Sequence, residues 1–118
     1  MPVSWIEYRG HRILYVDYRD LAPGECIATL HEHAAAVEAA PGPVLALVDA
    51  RGAQFTGEFM AAAKAAGPRN TQRTLKRAIV GAEGFKKVLL VFFNVAAGEV
   101  PMEPFATKEA ALEYLAGP

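Results

Sequence analysis

The chain is poor in the residues that announce a particular chemistry. It holds one cysteine, Cys26, among 118 residues, so no disulfide can form within it and a stapled, secreted scaffold is excluded. Ser4 is the only serine, which leaves a Ser-His-Asp triad dependent on a residue at the frayed amino end. No apolar run is long enough to span a bilayer; the longest notable one, residues 88–93, is far too short. Residues 1–5 show no basic stretch followed by an apolar one, so a secretory signal is not expected there, and the expected location is cytoplasmic. Net charge is only −1, which gives no whole-protein field to attract nucleic acid or membrane. Gly-x-Gly-x-x-Gly and the phosphate-loop pattern ending in Gly-Lys-Ser/Thr are both missing, so a nucleotide site is not expected.

Other features are plentiful. Hydrophobic residues make up 53% and charged residues 21%, a globular composition in a chain of one-domain length. The segment Val44-Leu45-Ala46-Leu47-Val48 is apolar at every position and ends in Asp49-Ala50-Arg51-Gly52. A run apolar on both alternating faces is the mark of a strand covered on both sides. Ligands and partners of such sheets meet the loops at the strands' carboxyl ends. Asp49, Arg51, Thr56, Gly57 and Glu58 therefore form the candidate binding rim. The forked Arg51 guanidinium suits an anion or an acidic partner. The bland alternative is an Asp49 cap on loop amides with a surface ion pair. Amides after Gly57 would favour an anion, but Glu58 would repel it.

In chain order, residues 5–8 and 12–18 read as a β-hairpin about Gly10, with the second strand central. Pro23 opens a helix to about Ala40, with Ile27, Leu30, Ala34 and Val37 as its stripe. Cys26, one residue off that stripe, reads as a small core residue. Pro41-Gly42-Pro43 leads into the strand at 44–48. Residues 58–66 read as a helix stopped by Gly67-Pro68, and residues 69–76 as loop or a further helical turn. Residues 77–81 form a short strand. Residues 85–97 fit a strand by propensity and a helix by periodicity, through Phe85, Val88, Leu89, Phe92 and Ala96. Apolar surface in excess of one helical face there would line a lipid-sized pocket or a homodimer interface. Residues 102–105 form a short edge strand marked by Pro104. Thr107 caps a last helix, residues 108–116, with Ala111, Leu112 and Leu115 inward.

Charge is distributed unevenly. Residues 64–87 carry Lys64, Arg69, Arg73, Lys76, Arg77, Lys86 and Lys87 against Glu83 alone, while the flanking segments are acidic. A patch of Arg69, Arg73, Lys76, Arg77, Lys86 and Lys87 could bind an acidic partner, or it is a solvated face. No aromatics interleave for base stacking, so nucleic acid is not expected. His31 and His33 are two apart on a helix, on nearly opposite sides. They cannot chelate one metal, and with His11 they read as solvated.

The order hairpin, helix, strand, helix, strand, helix, strand, helix, with the ending Met102-Glu103-Pro104-Phe105-Ala106-Thr107-Lys108-Glu109-Ala110-Ala111-Leu112-Glu113-Tyr114-Leu115, resembles the SpoIIAA-like family. That family belongs with the STAS domains and is similar to the SEC14-like lipid-binding fold. The resemblance implies a single-domain α/β fold, a mixed sheet of about five strands with about four helices, and helix at 85–97. Anti-sigma-factor antagonists of the STAS group carry a phosphorylatable serine at the start of the helix after the third strand. That position falls near Glu58, after Thr56 and Gly57, and the serine motif is absent. The implied function is a non-enzymatic regulatory or protein-interaction module without cofactor. The alternative is a carrier of a small apolar or lipid-like ligand.

Overall fold

The computed structural model describes residues 2–82 and 102–118, with the side chains of 68–71 excepted. Five strands and three helices follow in the order β1 (Val3–Tyr8), β2 (His11–Asp17), α1 (Pro23–Ala39), β3 (Val44–Asp49), α2 (Gly57–Gln72), β4 (Thr74–Val80), β5 (Met102–Phe105) and α3 (Lys108–Ala116). The helix expected at residues 85–97 lies outside the described residues, as do Lys86 and Lys87. The sheet order is β1-β2-β3-β4-β5. β1 is antiparallel to β2, and every later pair is parallel.

The hairpin turn places both Arg9 and Gly10 at positive φ, the requirement of a type I′ turn. β2 is an inner strand whose Ile13, Leu14, Tyr15 and Val16 are all buried. β3, also inner, pairs with β2 in the register Asp17↔Asp49 and with β4 in the register Asp49↔Val80. β5 forms one edge, where Pro104 leaves no inner ladder without a donor.

Two consecutive parallel crossovers of the same hand put α1 and α2 on one face, in contact with each other. Leu14, Val16, Val48 and Ile79 from the sheet meet Cys26, Leu30, Val37 and Phe59 there. α3 covers the other face, where Ala111, Leu112 and Leu115 pack on Ile13, Tyr15, Leu47, Ala78 and Val80. Thr107 caps α3, its Oγ1 accepting from the Ala110 amide at 3.1 Å.

Three local expectations need correction. α2 does not stop at Gly67-Pro68 but continues to Gln72. Proline disfavours helix at the residue before it through that residue's Cβ and N–H, and glycine has no Cβ to clash. Of residues 69–76, expected as loop or a further helical turn, 69–72 do continue α2, but β4 starts at Thr74 and takes in 74–76. The stripe of α1 is rotated: its buried residues are Cys26, Thr29, Leu30, His33 and Val37. His33 is therefore not solvated, and only 6% of it is exposed, while His31 and His11 remain in solvent. With two histidines on nearly opposite sides of one helix, turning His31 outward turns His33 inward. Burial, and then the charge of Arg77, push the His33 imidazole down to about 4.

Candidate functional site

The carboxyl ends of β2 and β3 carry the same device twice. β2 ends in Asp17-Tyr18-Arg19-Asp20 and β3 in Asp49-Ala50-Arg51-Gly52. In each, the arginine folds back on the aspartate two residues before it. Arg19 donates from Nε to Asp17 Oδ1 at 3.0 Å and from Nη2 to Oδ2 at 2.9 Å. Arg51 donates from Nε to Asp49 Oδ1 at 2.9 Å and from Nη2 to Oδ2 at 2.6 Å. In each, the arginine's own amide also donates to Oδ1, at 3.0 Å for Arg19 and 3.3 Å for Arg51.

The backbone repeats as well. Leu21 N donates to Tyr18 O and Ala53 N to Ala50 O, closing a four-residue turn after each strand. The third residue of each turn has positive φ, 59° at Asp20 and 69° at Gly52, as a type II turn demands. Glycine takes that conformation freely, and aspartate is among the few side chains that tolerate it. The two turns touch: a Cβ built on Gly52 would sit 3.3 Å from Asp20 Oδ1. Because Asp17 and Asp49 are register partners, the clasps stand side by side.

Their anchors differ in depth. Asp49 is fully buried, whereas the Asp17 side chain keeps 25% of its exposure. Tyr15 Oη donates to Asp49 Oδ2 at 2.8 Å. Arg19 Nε lies 3.6 Å from that same oxygen, which ties the first clasp to the second. Burial pushes the Asp49 carboxyl up, but the bonds from Arg51 and Tyr15 outweigh it and hold Asp49 below the usual range. The Arg19 bonds hold Asp17 low as well. Tyr15 is pushed up to about 12, first by burial and then by its bond to Asp49. Lys108, in the first turn of α3, places Nζ 4.1 Å from the centre of the Tyr15 ring and adds a third cation.

β4 runs alongside β3, and Ala50 N donates to Val80 O at the end of β4. A Cβ added at Gly81, where φ is 88°, would lie 2.6 Å from Arg51 N. The third strand's turn can thus form only over a glycine. On the opposite face Tyr18 makes edge contacts with Phe55 and Phe59, which stack on each other at 4.4 Å. This aromatic group holds the loop from Gly52 to Phe55 against α1 and α2.

The expected rim is therefore assembled in part. Asp49 and Arg51 lie at its centre. Thr56 caps α2, its Oγ1 accepting from the Phe59 amide at 3.1 Å, and Gly57 and Glu58 are exposed in the first turn that follows. Tyr15, Asp17, Arg19 and Lys108 were not anticipated. Repetition of Asp-x-Arg at the ends of two predicted strands is the signal that finds Asp17 and Arg19. Lys108 arrives by packing and leaves no such mark.

Of the basic patch, Arg73, Lys76 and Arg77 can be placed among the described residues, and those three do not share a surface. Arg73 and Lys76 lie at the amino end of β4, across the sheet from the rim. Arg73 donates to Val37 O at 3.2 Å and to Ala40 O at 2.5 Å, the carboxyl end of α1. Lys76 Nζ donates to Tyr114 O at 3.1 Å and Gly117 O at 2.9 Å, the carboxyl end of α3 on the other face. Arg77 is buried, because its position in β4 faces α1 and His33. Arg69 belongs to α2, with its side chain outside the description, so no joint surface of Arg69, Arg73, Lys76 and Arg77 can be drawn.

Among the described residues no cluster of His, Cys, Asp or Glu is arranged to hold a metal ion, and no helix is long and apolar enough to cross a membrane. A scan against protein-family models finds no match to the chain, and neither does a search of curated proteins or of solved structures.

Proposed function

We propose that this chain is a non-enzymatic recognition module of SpoIIAA-like type whose carboxyl-edge rim engages an acidic protein partner through Arg19 and Arg51. The observation that carries the reading is the doubled clasp. Two guanidinium groups, each with 45% of its side chain exposed, are held in fixed orientation by bonds to their own aspartates. A long side chain that is already immobilised loses little further freedom when a partner arrives, and that lowers the cost of binding.

The protonation states favour binding over reaction. General acid–base work needs a group that exchanges protons near the working pH. Here Tyr15 is pushed up to about 12 while Asp17 and Asp49 are held low, so each keeps one state through neutrality.

The test is affinity capture from the native host with the wild-type chain, Arg19→Gln/Arg51→Gln and Arg73→Gln/Lys76→Gln. The rim variant loses the bound protein, and the amino-edge variant keeps it. Equal retention by all three would refute the rim as the binding surface. A co-purified lipid with no protein partner would instead establish the carrier reading.

A further inference from the structure

We infer that the rim reads a pair of carboxylates one turn apart on a partner helix. This inference rests on the rim being the binding surface and adds the spacing and the secondary structure of what it binds. Guanidinium is a rigid planar fork with five N–H donors. Each aspartate occupies the Nε–Nη2 side of its arginine, in the same way in both clasps. The Nη1 end of each fork makes no bond to another described residue. It is the edge that can accept a second carboxylate end-on, as a two-bond pair.

Spacing follows from the repetition. The two arginines occupy equivalent places on hydrogen-bonded parallel strands, after register partners Asp17 and Asp49. Each is folded back by the same bonds, so the two forks are offset by about one strand spacing, ~4.8 Å. The Cβ atoms of acidic residues three or four apart on a helix stand about 5–6 Å from each other. Alternate residues on an extended strand are separated by roughly 6.8 Å. Two forks at one strand spacing fit the helical pair better.

Charge balance points to the same kind of contact. Asp17, Asp20 and Asp49 offset Arg19, Arg51 and Lys108, and Glu58 on the same rim adds a further negative charge, so the site has no positive field to draw in anions from a distance. Recognition there depends on the short range and on fork geometry, which a properly spaced pair satisfies and a diffuse acidic surface does not.

The experiment uses the full chain, labelled for NMR, with the Arg19 and Arg51 Nε–H signals and the amides of residues 17–20 and 49–52 as readout. The probes are alanine-based helical peptides with a glutamate pair four apart, a pair two apart and so on different sides, or a glutamine pair, together with inorganic phosphate. The peptide with the pair four apart binds roughly five-fold tighter than the pair two apart, the upper end of what one further exposed charge pair contributes. Arg19→Lys keeps the charge, leaves Asp49 bonded to Arg51 and Tyr15, and abolishes that preference by removing one fork. Equal binding of both glutamate peptides overturns the inference, as does phosphate binding at the same signals more tightly than any peptide. If the spacing preference fails while capture still depends on Arg19 and Arg51, the rim stands and only the helical pair falls. If capture is independent of both arginines, the rim itself falls.

Discussion

The two ends of the parallel strands use the same kind of residue for opposite purposes. At the amino end of β4, Arg73 and Lys76 are spent on the carbonyl oxygens that finish α1 and α3. At the carboxyl ends of β2 and β3, Arg19 and Arg51 grip aspartates of their own turns and keep one edge of each fork outward. The topology explains the difference. Helices that follow parallel strands run back and end at the strands' amino edge, where their last carbonyls lack partners and carry negative partial charge. Cations placed there are absorbed by the backbone. The carboxyl edge meets helix beginnings and offers no such carbonyls, so an arginine there is held only if the chain supplies a carboxylate.

The comparison breaks most readily at Asp49. Asp49→Ala removes a fully buried acceptor from both Arg51 and Tyr15, and the loss should be about 3 kcal/mol, the lower end for breaking a buried pair because Arg51 is half exposed. Asp17→Ala, at the shallower clasp, should cost under about 1 kcal/mol. Urea unfolding of the two variants checks this; equal midpoints would mean that the clasps do not differ in depth.

Between the two ends sits His33. Its folded value of about 4 lies below the unfolded value near 6.5, so the unfolded state binds the proton first as pH falls. Stability should be full above about pH 6.5 and decline as pH drops towards 4, by about 3 kcal/mol at most. The carboxylates Asp17 and Asp49, held low, add their loss only at more acid pH. His33→Gln should flatten the decline above pH 4 in thermal scans; an unchanged slope would place its origin elsewhere.

Gly81→Ala sharpens the view of the rim. The added methyl meets Arg51 backbone in a conformation that side chains rarely adopt, at a cost of about 2 kcal/mol or more. The shift should also displace the Arg51 Nε–H signal while leaving that of Lys76 Nζ unmoved. The smallest effects belong to the amino edge: Arg73→Gln and Lys76→Gln should each lower stability by about 1 kcal/mol. Because they act on separate helices on opposite faces, their losses should add.

Much of the scaffold was legible. An apolar run closed by Asp49 marks β3 because a doubly covered strand admits no polar face. Gly10 marks the hairpin because its turn needs positive φ, and Thr107 marks α3 because a hydroxyl must take up a free amide there. Gly67-Pro68 misled because one part of the proline rule, the clash with the preceding Cβ, has nothing to act on at a glycine. The rotated stripe of α1 misled because a helix of mixed small and polar residues has no sharply apolar side, and the neighbouring sheet chose which arc to bury.

The sequence by itself determined the local devices. Each Asp-x-Arg clasp closes within four residues, and its bonds are made within the turn that follows, the second turn needing in addition the space that Gly81 leaves. Only the tertiary structure decided that two clasps stand side by side, that one anchor is buried and the other is not, and that Arg73, Lys76 and Arg77 never meet as a patch. Charges adjacent in sequence alternate across a strand and point to opposite faces. Which cations share a surface is therefore fixed by strand register and by where the helices end, and neither is written in any short stretch of the chain.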